Sequence, residues 1–495
     1  MVKQDSKIIW KLQYLLQDII AYDATFDCEV TGLALDSRKI KPGDIFFAYP
    51  GTATDGRKFI DNAIINGAVA IIAEQGFNFK KFPIPLIHTT DLQNKVGHIA
   101  ARFYSSPSKT SISNSIIIGI TGTNGKTTCS QLIARCLQES HMPCATIGTL
   151  GFGFPDQLSS FDLTTPDPIL LQKQLSLFRE QGVKAIAMEV SSHSLTQGRL
   201  AGTDFQIAIF TNLSRDHLDY HGDMENYWQA KRRLFTDFKI QTAIMNIDDQ
   251  YGIRLQNDIK REVRQITYSL MNTKADIFTS NVELTNQGIK ATVHTPWGKG
   301  IIHSCLLGRF NLSNLLAVIA CLGSLEISLP EILMNITKMP RITGRMQAFG
   351  GDKQPLVVVD FSHTPDALAQ ALQALKEHCQ GELWCVFGCG GNRDQGKRPQ
   401  MAAIAERYAD HIIITNDNPR HEDPEKIIQD IKTGLLCPQA VKVELDRRAA
   451  MTYAIQRAKA QDIILIAGKG HETYQQIGDK KIPFNDANIV KELLS

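Results

Sequence analysis

Apolar residues along this chain fall into two alternating patterns. Short β-branched runs, of the kind that suit strands buried on both faces, are followed by stretches with apolar residues at helical spacing. The clearest case is SIIIGITGTNGKTTCS at 115–130, where Ile116, Ile117, Ile118 and Ile120 predict a buried strand and the following QLIARCLQ predicts a helix. Further strands are predicted at 45–48, 68–73, 185–188 and 207–210, with helices at 59–66, 227–235 and 312–323. The segment 270–305 reads as short strands with a turn at Pro296-Trp297-Gly298. Beyond it, strands are predicted at 356–359, 383–387, 412–415, 440–444 and 463–467, with helices between them. Near the start, Ile8, Ile9, Leu12, Leu15, Leu16 and Ile19 have the spacing of one amphipathic helix.

This alternation predicts an α/β protein of three domains. Residues 1–110 form a small α/β N-terminal domain, 111–337 a central P-loop mononucleotide-binding domain, and 338–495 a C-terminal Rossmann-like, doubly wound domain. A Ser-rich linker at 105–115 and a basic Gly/Pro hinge within 336–346 separate them. Composition narrows the picture. The formal net charge of +2 gives no electrostatic case for nucleic acid. The ten cysteines show no zinc or disulfide spacing. No apolar run approaches the ~20 residues that span a bilayer. A cytoplasmic monomer acting on small molecules, without nucleic-acid or membrane partners, is expected.

Candidate chemistry clusters where predicted strands end. Strand, Gly-rich turn and helix at 115–138 make a phosphate loop: Gly122, Thr123, Asn124, Gly125, Lys126, Thr127 and Thr128. Lys126 would reach the β- and γ-phosphates of ATP, and Thr127 would ligate Mg²⁺. The spacing departs from GxxxxGK[ST], which wants glycine at Ile120. Glu189, at the end of the 185–188 strand, stands where a second Mg²⁺ could be ligated, or where it could cap a helix. The stretch Thr211-Asn212-Leu213-Ser214-Arg215-Asp216-His217-Leu218-Asp219-Tyr220-His221 is dense in polar groups directly after a strand. Lys231, Arg232 and Arg233 on the 227–235 helix read as a solvated basic face, and Asn311 as an N-cap. Ser37 and the turn at 51–56 suit either a polar ligand or plain turn chemistry. Four polar strand ends, at Asp360, Gly388, Asp417 and Gly468, should converge on one crevice of the C-terminal sheet.

These stretches together resemble the Mur ligase family of ATP-dependent cell-wall ligases. The likeness rests on GTNGKTT, TTPD, EVSSHSL, NLSRDHLDYHG, YWQAKRRLF, GRFNLSNLLA, DFSHTPDAL, GCGGNRDQGKRP, DNPR and AGKGHETYQ, and it covers essentially the whole chain. Within the family it resembles the ligases that add the third residue, and DNPR resembles the form that adds meso-diaminopimelate. The resemblance implies that Leu35, Ser37, Thr52, Ala53 and Thr54 contact a uridine nucleotide. It assigns Thr164, Thr165, Ser191, Gln197 and Arg199 to the muramoyl-dipeptide part of UDP-N-acetylmuramoyl-L-Ala-D-Glu. Asn311, Arg345 and Asp360 join the phosphate loop around ATP. Thr127, Glu189, His217 and a carbamylated Lys231 are implied near Mg²⁺, and with Lys126 they form the catalytic set. Arg393, Asp417, Asn418, Pro419, Arg420, Gly468 and Glu472 are implied for the diaminopimelate pocket. Closure of the last domain about the hinge is implied as well. The alternatives are an L-lysine-adding or folylpolyglutamate-type ligase, or a P-loop ATPase module of another class.

Overall fold

The computed structural model describes residues 9–22, 27–51, 54–77, 82–105, 115–159 and 163–495. Thr52, Ala53 and residues 106–114 of the expected linker lie outside that set. The chain divides into two compact units. The first comprises residues 1–130, 141–245 and 249–265; the second comprises 131–140, 246–248 and 266–495.

The first unit holds two mostly parallel sheets. The smaller runs Gly32–Ala34, Asp44–Ala48, Ala70–Glu74, Leu86–Thr89, with every pair parallel. Alternate residues serve opposite faces. Ile45, Phe47 and Ile72 pack in one apolar cluster, while Phe46, Ala48 and Ile71 pack in another. In the larger sheet, Cys144–Gly148, Ala185–Glu189, Ile116–Thr121, Ile207–Phe210 and Thr242–Asn246 lie side by side in that order. These five are parallel, and an antiparallel hairpin, Gly151–Phe154 with Gln157–Ser159, extends the edge beyond Cys144. The predicted strands at 116–120, 185–188 and 207–210 are thus its centre. Helix Leu92–Tyr104 packs on helix Pro168–Glu180 and comes close to the loop at 198–202. A Cβ on Gly97 would lie 2.1 Å from the Ala201 carbonyl oxygen, so only glycine permits that approach.

Of the amphipathic helix expected over the first 22 residues, Ile8 lies outside the described residues, and over 9–22 a long helix does not form. Trp10–Lys11 is a strand paired with Glu29–Val30, and among the described residues of this segment only Leu12–Leu16 is helical. Leu12, Leu15 and Leu16 are buried as the pattern required, but one turn suffices to bury them. The chain turns away at Asp18, whose φ of 60° no helix continues.

The second unit opens with an antiparallel meander, Ile277–Thr285, Gly288–Thr295 and Gly298–Ser304. Helix Arg309–Ser324 follows and is buried on nearly every face, as its apolar sequence demands. The helix starts earlier than its apolar pattern suggested. Gly308 is the N-cap, so Asn311 sits inside the first turn, and its Nδ2 donates to Leu307 O at 2.8 Å. The last sheet has six strands in the order Gln347–Gly350, Leu356–Asp360, Ile463–Ala467, Leu383–Phe387, His411–Ile414, Lys442–Val443. All are parallel except the first, which forms an antiparallel edge. Val358, Cys385 and Leu465 face one core and Val357, Val386 and Ile464 the other, so helices cover both faces. Buried His378 links this sheet's first helix, Pro365–His378, to the meander. Its Nε2 accepts from Gly308 N at 2.9 Å, and its Nδ1 donates to Thr285 O at 2.5 Å.

Candidate active site

Strand Ile116–Thr121 runs into the loop at 122–125, and helix Lys126–Glu139 begins at once. Gly122 and Gly125 have φ of 148° and 87°, which a side chain would strain. The next strand braces the loop. Thr123 N donates to Asn212 O at 2.8 Å, Asn124 N to Asn212 Oδ1 at 2.9 Å, and Thr211 Oγ1 to Asn124 O at 2.6 Å. Two lysines turn toward the loop's carbonyls. Lys126 Nζ donates to Gly122 O and Thr123 O, both at 2.8 Å, and Lys231 Nζ donates to Gly122 O at 2.8 Å. A helix N-terminus beside gathered amines is an anion site in both charge and donors.

Glu189 ends its strand 1% exposed, beside the loop. Its Oε2 accepts from Thr127 Oγ1 and from Thr149 Oγ1, each at 3.0 Å, and its Oε1 accepts from Thr149 N at 2.9 Å. The alternative of a helix cap does not hold, because Ser191 caps the helix Ser192–Thr196. No group of three or more His, Cys, Asp or Glu side chains able to hold an ion exists among the described residues. The Glu189 carboxylate and Thr127 hydroxyl are nonetheless hard oxygen donors. Such a sparse set fits Mg²⁺, which keeps its waters and takes phosphate oxygens for most of its shell.

Lys231 departs from the solvated basic face expected of its helix. Helix Met224–Thr236 turns it inward to 2% exposure, while Arg232 and Arg233 pair at the surface with Asp258 and Asp237. Burial, reinforced by the charge of Lys126, holds its amine well below the usual lysine value. Tyr227 lies one helical turn earlier on the same face, with its ring centroid 4.7 Å from Lys231 Nζ and its hydroxyl 3.2 Å from Thr123 Oγ1. Sequence reading missed Tyr227 as a loop contact; its four-residue spacing from Lys231 was the available signal. It also missed Thr149, which follows a strand that was not predicted.

His217, at φ of 53°, contacts the ring of His193, which also packs on Tyr220 and His221. Burial and the neighbouring His217 push His193 down to about 4, and burial lowers His217 and His221 as well. Thr165 Oγ1 donates to Glu189 O at 2.9 Å, and Arg199 donates to Thr165 O at 2.9 Å and to Gln197 Oε1. Thr164 Oγ1 lies 3.3 Å from Thr149 Oγ1, and Ser191 Oγ 3.4 Å from Thr165 Oγ1. Thr164, Thr165, Ser191, Gln197 and Arg199 are therefore one set, contiguous with Glu189. Leu35, Ser37 and Thr54 are not joined to it by hydrogen bonds among the described residues. Ser37 is buried in the short 3₁₀ turn Ser37–Lys39, and Thr54 is exposed. Tyr49, which sequence reading did not select, bridges part of the way: burial and the charge of Asp167 push its phenol up to about 12, with Arg199 opposing.

The second unit brings its four polar strand ends together, because their strands are neighbours in the sheet. Gly468 N donates to Asp360 O at 3.1 Å, Gly391 N to Asn418 O at 2.9 Å, and Lys397 Nζ to His363 O at 2.8 Å. Asp360 accepts from Met346 N at 2.7 Å and from Ser362 Oγ. Arg345 stacks over Phe361 at 5.0 Å. Its Nε and the Nδ1 of His471 are buried without a partner among the described residues, which is costly unless a ligand meets them. Arg420, at φ of 52°, donates to Gly391 O at 2.8 Å; exposed Arg393 also lies beside Gly390. A Cβ on Gly468 would come within 2.7 Å of Asp417 Oδ2. Asn418 donates to Glu472 Oε2 at 2.9 Å. Behind these groups stand Lys469, Arg398 and Arg447, each fully buried, none of which was selected from the sequence. Arg447 pairs with Asp486 at 2.7 Å and donates to Ala467 O at 3.0 Å, holding a strand end from beneath.

Three family profiles match the chain: Mur ligase family, catalytic domain, at 29–104; Mur ligase middle domain at 120–322; and Mur ligase, glutamate ligase domain, at 344–470. A curated relative from Coxiella burnetii, a UDP-N-acetylmuramoyl-L-alanyl-D-glutamate–2,6-diaminopimelate ligase, is 50% identical over 95% of this chain and 96% of the relative. The chain belongs to the Mur ligase family. A Pseudomonas aeruginosa ligase of the same name is 45% identical over 95% of this chain and 96% of its own. A solved structure of a ligase with that name matches at a TM-score of 0.75 and 37% identity, covering 98% of each chain. The folylpolyglutamate synthase of Mycobacterium tuberculosis shares the fold alone, at a TM-score of 0.60 and 16% identity over 74% of this chain and 91% of that one. The α/β architecture expected from the sequence is that of this family.

Proposed function

We propose that this Mur ligase adds meso-diaminopimelate to UDP-N-acetylmuramoyl-L-Ala-D-Glu, with ATP cleaved to ADP and phosphate, in peptidoglycan precursor synthesis. One observation carries the reading: near-full-length kinship, at 45–50% identity, with ligases of that name. A lysine-adding or folate-type ligase is the rival within the fold, and the folylpolyglutamate synthase above matches at only 16% identity.

An amide does not form from a free carboxylate and an amine in water without activation. ATP would phosphorylate the D-glutamate carboxylate, and the amino acid's amine would displace phosphate from the acyl phosphate. Little covalent chemistry falls to the protein, which has to position charge. Lys126, Gly122, Thr123, Asn124, Gly125, Thr127 and Thr128 would cradle the triphosphate. Asn311, Arg345 and Asp360 would complete the nucleotide contacts. Thr127, Glu189 and His217 would hold Mg²⁺, which when bound neutralises phosphate charge. Lys231 suits carbamylation because burial lowers its amine's proton affinity, which eases loss of the proton, and the deprotonated amine adds to CO₂ with loss of a further proton to give an anionic oxygen donor. Lys231→Ala is expected to lose activity and regain part of it with added acetate. Thr164, Thr165, Ser191, Gln197 and Arg199 would hold the dipeptide, and Leu35, Ser37, Thr52, Ala53 and Thr54 the uridine end. Arg393, Asp417, Asn418, Pro419, Arg420, Gly468 and Glu472 would take diaminopimelate, with an arginine fork on the carboxylate that lysine lacks.

We place the enzyme in the cytoplasm, where such nucleotides are made; among the described residues no helix is long and apolar enough to cross a membrane. The deciding assay is ADP release. It should require both the nucleotide dipeptide and diaminopimelate, and ADP released without either one would sink the reading.

A further inference from the structure

Lys469 stands between Gly468 and Gly470, at φ of 114° and 53°. This left-handed bend sends the side chain inward, to 0% exposure. Its Nζ donates to Glu472 Oε2 at 2.7 Å and to Asn418 Oδ1 at 3.1 Å. Asn418 Oδ1 also accepts from Gln476 N at 2.9 Å, so two donors fix which end of the amide is oxygen. Asn418 Nδ2 therefore points the other way and donates to Glu472 Oε2. Glu472 receives both donors on one oxygen. Its Oε1 has no partner among the described residues, and its side chain is 25% exposed.

We propose that Lys469 is a positioning residue for the amino-acid pocket: a buried ammonium that orients Asn418 and Glu472 and so presents Glu472 Oε1 to an ammonium group of the incoming amino acid. Without Lys469, Asn418 could turn its amide over, and Glu472 could swing its carboxylate off the direction the ligand needs. The pairing also settles the pocket's charge. Lys469 balances Glu472, so a purely cationic ligand gains little there. A ligand carrying ammonium and carboxylate together can use Glu472 and the nearby Arg420 and Arg393 at once.

The inference rests on the diaminopimelate reading, and steady-state kinetics separate the two. Lys469→Met keeps the stem and removes the charge. It is expected to raise KM for diaminopimelate about 10- to 100-fold, the cost of leaving a charged pair unmade. KM for ATP and for the nucleotide dipeptide should stay within about two-fold, since neither rests on this network. Adding Lys469→Met to Glu472→Gln should cost less than about three-fold more, because the carboxylate it orients is already gone. If Lys469→Met does not fold, the double variant, which buries no unpaired charge, gives the readout by matching Glu472→Gln alone. An unchanged diaminopimelate KM in Lys469→Met overturns the inference alone. So does an equal rise in all three KM values with a lowered melting temperature, and so do losses that multiply in the double variant. A wild-type enzyme that makes no product with diaminopimelate overturns the functional reading and this inference with it.

Discussion

In the first unit, the lysines beside the phosphate loop rest on backbone carbonyls; in the second, the buried cations behind the strand ends are tied to carboxylates. A carbonyl gives up an ammonium cheaply, since it leaves no charge behind. The loop can therefore trade its internal bonds for a polyphosphate. A buried cation cannot lose its carboxylate without a cost of several kcal/mol. Arg447–Asp486, Arg398–Glu422 and Lys469–Glu472 therefore hold the strand ends in one arrangement whether or not a ligand is bound. One region is adaptable, and the other is built in advance.

The sharpest break is Arg447→Met. It strands Asp486, which is 0% exposed, and should cost about 3–5 kcal/mol of stability by denaturant melts. A loss no larger than that of Lys290→Met, which opens an exposed pair with Glu283, would erase the contrast. Lys126→Met should do the opposite, lowering kcat about 10²- to 10³-fold with the melting curve nearly unmoved. Arg420→Ala should lower kcat/KM for diaminopimelate on the order of 10²-fold while KM for ATP holds, as measured by ADP release at varied amino acid. The mildest lever is pH. Burial lowers His378 from its ordinary 6.5, against the pull of Thr285 O and Glu377 and with the help of Arg309. The folded state then binds fewer protons than the unfolded chain below about pH 6.5, so stability rises with pH up to that value. Melting temperatures of the wild type should climb over the acidic range, and those of His378→Gln should climb less.

Much of this was legible because parallel sheets carry their chemistry at strand ends. The runs at 116–120, 185–188, 207–210, 383–387 and 463–467 marked the strands, and the residues just beyond them are those the fold gathers. What escaped was whatever depends on a neighbour distant in sequence. Lys231 sits in a run of three cations, and nothing local says that the middle of the sheet lies against its side of the helix. Lys469 and Arg447 look like surface residues until Asn418 and Asp486 are placed against them. At the start of the chain, apolar spacing alone could not set the helix's length, because a single turn, Leu12–Leu16, already buries Leu12, Leu15 and Leu16.

The contact at Gly97 bears on anyone who would recombine these enzymes. A β-carbon there would collide with the Ala201 carbonyl, just past Gln197 and Arg199. Grafting a foreign front sheet onto this body thus calls for a glycine at the matching place in its last helix. A donor with alanine there would have to push aside the segment we propose to hold the dipeptide, and the chimera would then surrender substrate affinity before it lost its shape.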